Sequence, residues 1–286
     1  MKSRSKAVGA DAHRISRLLI YVLLIILAIL SILPFWVMFV NGTRSTVEIQ
    51  KSALSLIPSK SLLDNVGILM GKSFNPLIGF RNSLIISTGV AFCAIYFSSL
   101  TAYGLVAYDW KLKKAFFTFV MCIIMIPAQV SAIGFYQFMY RIGWTNNLLP
   151  LILPAIASPS MVFFMRQYLL ATLSMELVEA PRIDGSGEFG TFNRIVLPIM
   201  KPALATQAIF AFVTSWNNFF TPLILLTRQE LYTMPIMVSL LRGDIYKTEL
   251  GSIYVGLTVT VLPLFVVYFI LSKYIIAGVA LGGVKE

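Results

Sequence analysis

Residues 18–43 read LLIYVLLIILAILSILPFWVMFVNGT, an unbroken run between Arg17 and Arg44 without one Asp, Glu, Lys, Arg or His. A helix rises about 1.5 Å per residue and a bilayer's hydrocarbon core is about 30 Å thick, so about 20 apolar residues cross it once. Outward from that stretch the pattern repeats. Charge-free runs also occupy 82–108, 115–140, 142–165, 202–227 and 250–272, none long enough to cross twice. A soluble helical protein would carry charges every few residues along its wet face. The spacing predicts an all-α integral membrane protein with six transmembrane helices.

Bulk composition points the same way. Of 286 residues, 58% are hydrophobic and 12% charged, against about 45–50% and about 25% in soluble domains. A chain of this size cannot hide so much apolar surface in one soluble core. A soluble enzyme, a disordered chain and a nucleic-acid-binding domain are excluded together. The net charge of +11 is spread along the chain rather than gathered into one patch.

Lys and Arg set the orientation. With the N-terminus cytoplasmic, the inside segments 1–17, 109–114, 166–201 and 273–286 hold 14 of the 23 basic residues. The outside segments 44–81, 141 and 228–249 hold the other 9. The bias is steepest in the tail 1–17, where Lys2, Arg4, Lys6, Arg14 and Arg17 face one Asp11. Lys111, Lys113 and Lys114 pin the loop after the second span inside. Both termini are expected in the cytoplasm. The parts are then a basic cytoplasmic tail 1–17, a membrane domain 18–272 and a cytoplasmic tail 273–286. The basic leader and apolar run resemble a secretory signal, but the run is too long and lacks a small-residue cleavage site, which predicts a retained first helix.

The predicted spans contain no Asp, Glu, Lys, Arg or His. Ion-coupled carriers keep one at membrane depth to bind and release the driving ion. A self-sufficient secondary carrier or channel for a small polar solute is the alternative reading, and would need ion sites built from backbone carbonyls. Pro34, Pro127, Pro150, Pro154, Pro159, Pro222 and Pro263 lie at membrane depth, consistent with kinked helices around a pathway or with simple bends. Cys93 and Cys122 are expected to be reduced packing residues, and His13 a solvated tail residue. No histidine pair, metal-ligand cluster or Gly-x-Ser-x-Gly elbow is present. Gly67 and Gly71-Lys72-Ser73 resemble a phosphate loop, yet three residues separate the glycines where four are needed. The chain is expected to be no enzyme, to take no cofactor or metal, and not to bind ATP by itself.

The longest inside loop, 166–201, carries the strongest signal. RQYLLATLSMELVEA, from Arg166, reads as an amphipathic helix. Leu169, Leu170, Leu173, Leu177 and Val178 recur near helical period, with Glu176 and Glu179 on the polar side and Ser174 an N-cap where a helix restarts. The chain turns at Asp184-Gly185-Ser186-Gly187, and a second helix from Phe189 is expected to end around Leu197-Pro198 and Lys201-Pro202. Two short apolar-faced helices around a turn suit the docking of a partner.

Glu179-Ala180-Pro181, three residues, Gly185, nine residues, then Ile195-Val196-Leu197-Pro198 resembles the EAA loop of permease subunits in binding-protein-dependent ABC importers. Pro181 stands where that family has Ala, and its missing N–H predicts an early end to the first loop helix. Arg81-Asn82-Ser83-Leu84, Thr101-Ala102-Tyr103, Trp216-Asn217-Asn218-Phe219, Pro222-Leu223, Tyr232-Thr233-Met234-Pro235 and the ending Ile276-Ala277-Gly278 to Gly283-Val284-Lys285 are similar to the maltose-type carbohydrate permeases. The resemblance implies a six-span permease domain with a helix-turn-helix coupling loop between spans four and five. It also implies a second permease subunit, two ATPase subunits that hydrolyse the ATP, and an extracytoplasmic sugar-binding protein, at a bacterial-type cytoplasmic membrane. Glu179, Ala180, Asp184, Gly185, Leu197 and Pro198 would couple to the ATPase. Tyr136, Gln137, Trp216, Asn217 and Asn218 are the candidates for lining the sugar's path, since planar hydrogen-bonding groups beside aromatic faces suit carbohydrate.

Overall fold

In the computed structural model, residues 2–71, 75–183, 185–240 and 249–283 are described. Every regular element among them is helical. The chain opens with α1 (Lys2–Gly42), α2 (Thr46–Lys51) and α3 (Leu62–Gly71). Next come α4 (Pro76–Ala107), α5 (Lys113–Ile124), α6 (Ala128–Arg141), α7 (Leu149–Ile152) running into the 3-10 turn Leu153–Ile156, and α8 (Pro159–Thr172). The short elements α9 (Glu176–Ile183), α10 (Glu188–Thr191), a π-helical turn Phe192–Val196 and α11 (Leu197–Ile199) follow. The chain continues through α12 (Lys201–Trp216), α13 (Phe220–Leu225), the 3-10 turn Gln229–Leu231, α14 (Met234–Leu240) and α15 (Leu250–Gly283).

Four segments are long and apolar enough to cross a membrane alone: Arg17–Gly42, Pro76–Ala107, Leu149–Thr172 and Leu250–Ile270. Two pairs qualify only together: Lys113–Ile124 with Gln129–Arg141, bent by 99°, and Glu188–Ile199 with Lys201–Trp216, bent by 81°. The described residues thus supply four crossings, or six where each bent pair is one.

The breaks have causes in the sequence. Pro127 has no N–H to continue the helix of α5, and Ile126 N instead closes a tight turn on Ile123 O at 3.1 Å. In the run 202–227 the helix stops at Trp216 and resumes at Phe220. Asn218 turns its side-chain oxygen to Thr221 N at 3.4 Å, and Pro222 offers no donor to the carbonyl four residues back. The run 142–165 becomes helical only at Leu149, and its helical course to Thr172 is interrupted at Ala157 and Ser158. Its first residues form a strap instead. Asn146, at φ +54°, accepts from Thr227 N (2.7 Å), Thr227 Oγ1 (3.0 Å) and Arg228 N (3.2 Å), tying the strap to the end of α13.

The chain divides into two compact units, the first drawn from residues 1–74 and 241–259. Its polar knot sits where α1 ends. Arg44 is buried and donates to Asn41 Oδ1 (3.1 Å), Ser52 O (2.6 Å) and Glu48 O (2.9 Å). Ser45 and Glu48 cap α2 reciprocally, and the hydroxyls of Ser45 and Ser59 also reach the Glu48 carboxylate. The Ser45 N–H first, then the Ser59 and Ser45 hydroxyls, hold that carboxyl below its ordinary range. Asn65 donates to Gly42 O and Arg44 O, both at 2.9 Å. Gly251, at the start of α15, passes so close to Arg44 O and the Asn65 amide that a Cβ would collide with both. Before this knot, Leu18 to Leu30 of α1 expose every large apolar side chain, as a helix facing lipid does.

The second unit, from residues 75–240 and 260–286, is organised on α4. Ser83, Ser87, Ala91, Ala94, Ser98 and Ala102 recur at three- and four-residue steps, all buried, and let α8 and α12 approach its backbone. Asn82, fully buried near its start, donates to Glu230 O (2.8 Å) and Tyr232 O (3.0 Å), and Ser83 Oγ accepts from Met234 N (2.9 Å). Cys93 and Cys122 are free thiols, half-buried and exposed.

Candidate functional site

Two places in the second unit gather the residues singled out by the sequence. The first is the loop between α8 and α12. The amphipathic run from Arg166 is not one helix: Arg166 to Thr172 complete α8, Leu173 and Ser174 are non-helical, and α9 starts at Glu176. Pro181 does not end α9 early. It lies inside the helix, which continues to Ile183, because the fixed proline φ fits a helix and its carbonyl is taken by Ser186 N at 2.8 Å. Gly185 N closes on Arg182 O at 3.1 Å, and Gly185 adopts φ +79°, a conformation open to glycine and costly for residues with a Cβ. Asp184 lies outside the described residues, as do Lys72 and Ser73.

Beyond the turn, α10 passes into the π-helical turn, where Leu197 N donates to Phe192 O five residues back. Pro198 follows with no N–H to place. It begins the short α11 rather than ending a helix, as Pro202 stands near the start of α12. Val178, Phe192 and Val196 are fully buried and form the inner side of the loop. Glu179, Ala180 and Pro198 are exposed, and Leu197 is half-buried. At the tip, Ile183 is 86% and Phe189 66% exposed.

A polar cluster that the sequence did not single out fastens this loop to α4. Glu188 accepts from Arg182 Nε at 2.6 Å and from the Tyr103 hydroxyl at 3.1 Å. The Arg182 guanidinium lies 5.2 Å from the centre of the Tyr108 ring, and Tyr103 meets Tyr108 edge-on at 5.7 Å. Arg182, then Tyr108, keeps the Glu188 carboxyl below its ordinary range against some desolvation. A few residues on, Tyr96 donates to Asn193 Oδ1 at 3.2 Å and packs edge-on against Phe192 at 5.9 Å. Arg182 and Glu188 were visible as opposite charges six apart across a glycine turn. Nothing local in the sequence links Tyr103 or Tyr108 to them.

The second place is a pair of cavities among the charge-free runs, about 590 and 420 Å³, sharing Leu151, Pro154, Ala157, Pro159, Ser160 and Asn218 in their walls. Polar groups on the smaller include Gln207, Thr214 and Ser215, and on the larger Ser131 and Thr221. Neither wall carries an ionisable side chain. Of the path candidates, Asn218 lines both cavities and Asn217 is exposed beside it. Trp216 points elsewhere. It is 1% exposed, stacked on Phe212 at 5.6 Å, edge-on to Phe80 at 5.9 Å, and donates Nε1 to Thr260 O at 3.2 Å. Tyr136 packs on the cluster of Met139, Leu225 and Leu226, and Gln137 is exposed on the same helix; neither lines either of these two cavities. Gln207 was legible only as a polar residue in an apolar run.

Comparison with known proteins fits this geometry. The family described as binding-protein-dependent transport system inner membrane component matches residues 94–280. The arabinooligosaccharides transport system permease protein AraQ of Halalkalibacterium halodurans is 35% identical over 261 residues, 91% of this chain and 93% of its own. The trehalose/maltose transport system permease protein MalG of Thermococcus litoralis is 28% identical over 276 residues, 95% and 98% of the two chains. Among solved structures, a bacterial ABC transporter involved in the import of the acidic polysaccharide alginate matches with a TM-score of 0.78 at 20% identity, covering 92% of this chain and 97% of that one.

Proposed function

Because the chain belongs to the family of inner membrane components of binding-protein-dependent transport systems, we propose that it is the permease subunit that carries an oligosaccharide through the membrane in an ATP-driven importer. The relatives' oligosaccharide substrates and the neutral hydrogen-bonding lining of the two cavities support a carbohydrate cargo. Hydrolysis of ATP falls to two separate ATPase subunits, a second permease completes the pathway, and an extracytoplasmic binding protein delivers the sugar. The chain crosses six times with both termini in the cytoplasm. Its third crossing is the bent pair α5 and α6, and its fifth is α12 continued by α13. Loop 166–201 then faces the cytoplasm between the fourth and fifth crossings.

The observation that carries the coupling role is the loop's construction. An exposed apolar tip, Ile183 and Phe189 around Gly185, stands on a fully buried base and is fastened to α4 through Glu188. Such a tip can enter a groove on the ATPase and move α4 when that groove moves. Glu179 makes a charge-assisted contact with a basic ATPase residue, Ala180 leaves room beside it, Asp184 joins Gly185 in coupling to the ATPase, and Leu197 with Pro198 orient the second segment. Along the sugar's path Asn218 and Asn217 offer amides. Trp216 holds the break from behind, and Tyr136 and Gln137 border the outer approach.

The test is Gly185→Val in the assembled transporter. A Cβ there meets nothing within 4 Å, so the change strains only the turn, by about 1–2 kcal/mol. The subunit should still assemble, while uptake and sugar-stimulated ATP hydrolysis fall together. Normal uptake in that variant refutes the docking role.

A further inference from the structure

Outside the loop and the two cavities among the charge-free runs lies a third cavity, about 880 Å³, walled by Asp109, Trp110, Lys111, Lys113, Lys114, Phe117, Thr118 and Arg166. It gathers four cations and one carboxylate where the turn after α4 meets the start of α5 and the last turns of α8. The only ion pair among the described residues is Arg182 with Glu188, so no described carboxylate stands within bonding distance of these four charges. Lys113 donates to Tyr108 O at 2.8 Å. Arg166 lays its guanidinium on the Phe117 ring at 4.2 Å, while its Nε is shielded from solvent with no hydrogen-bond partner. A shielded, unpartnered guanidinium nitrogen is costly unless an acceptor reaches it.

The helix geometry makes the same demand. Lys113 and Lys114 occupy the first turn of α5, where free N–H groups and the helix dipole already concentrate positive charge. That turn holds no acidic residue, and Leu112 supplies no side-chain cap. Cations stacked on a positive helix end repel one another unless an anion joins them. Trp110 and Leu112, 40% and 67% exposed, flank the cavity with the amphipathic and apolar surface typical of a membrane boundary.

We propose that this cavity binds the phosphate of an acidic phospholipid, with Lys111, Lys114 and Arg166 contacting the headgroup, α5's N-terminus facing it, and Trp110 and Leu112 lying along its acyl chains. Lys113 holds the turn through Tyr108 O. The inference needs only that the chain lies in a bilayer, and does not depend on the cargo or the coupling partner. Inorganic phosphate shares the headgroup's chemistry but has no use for the apolar rim.

The assembled transporter is reconstituted in nanodiscs containing brominated phosphatidylglycerol or brominated phosphatidylcholine at matched bromine content. Trp110→Phe isolates the Trp110 fluorescence by difference. The expected result is half-quenching of Trp110 at a mole fraction of phosphatidylglycerol about threefold or more below that of phosphatidylcholine, as clustered basic residues select acidic lipid. Lys111→Gln/Lys114→Gln should erase the preference, as should Arg166→Gln where the double variant does not assemble. Equal quenching by the two lipids overturns the site, as does a preference unchanged in the variants. Relief of quenching by millimolar inorganic phosphate reassigns it to a soluble anion. Quenching that appears only when the partner subunits are removed reassigns it to a protein carboxylate.

Discussion

Trp216 and Asn218 are two residues apart and have opposite surroundings, one sealed among Phe80, Phe212 and Thr260, the other open to two cavities. Trp216→Phe keeps a ring but removes the N–H bond to Thr260 O, and should lower thermal stability in detergent by about 0.5–1.5 kcal/mol. Half-saturation of uptake by sugar should stay unchanged, whereas Asn218→Ala should raise it. Gly251→Ala drives a methyl into Arg44 O and Asn65, and should cost about 1–3 kcal/mol in a melting measurement. The Glu188 carboxyl is held below its ordinary range, so its contribution is complete above the unfolded value and fades only as pH falls through the lower folded value. Coupling of uptake to ATP hydrolysis should therefore hold across neutral and mildly acidic pH and weaken only below the usual carboxylate range. Glu188→Gln should remove that acid limb and weaken coupling at every pH. The glycine turn and the Asn pair were legible as residues. The tyrosine partners of Glu188 were not, because Tyr103 and Tyr108 reach it through tertiary packing alone.

At the scale of elements, proline shows how far a sequence can be read. Pro34 and Pro263 lie inside continuous helices, while Pro127 and Pro222 accompany breaks. The residue type is the same. Pro222 differs in following Asn217-Asn218, where the Asn218 side chain competes for the Thr221 N–H, and no comparable polar pair precedes Pro34. Charge gaps mark apolar runs because water excludes such runs wherever they start, but they do not mark where a helix begins or stops. Helix ends depended on hydrogen bonds formed across the fold, such as those Asn146 makes to Thr227 and Arg228. Asn82 is the matching case in α4. Asn82→Ala leaves the carbonyls of Glu230 and Tyr232 without their donor in a part-buried setting. It should destabilise the subunit by about 1–3 kcal/mol, read as an earlier loss of folded protein on heating.

For the whole molecule, the family was legible from one loop and a handful of short motifs, and the comparisons extend that likeness along nearly the full chain. The cargo was not, because neutral amides and hydroxyls bind many solutes. We expect the purified chain alone, in sealed vesicles, to move no sugar, and transport to require a second permease and an ATPase that co-purify from the native membrane in mild detergent. Transport by the isolated chain would restore the carrier reading. The uncharged walls of the two cavities have a further effect. Stripping water from an ion there costs far more than neutral amides and hydroxyls repay, whereas a sugar exchanges its water hydrogen bonds for theirs. A wet pocket of this kind admits a bulky uncharged solute while remaining a poor conductor. On the proposed path the membrane potential can therefore persist while the sugar passes.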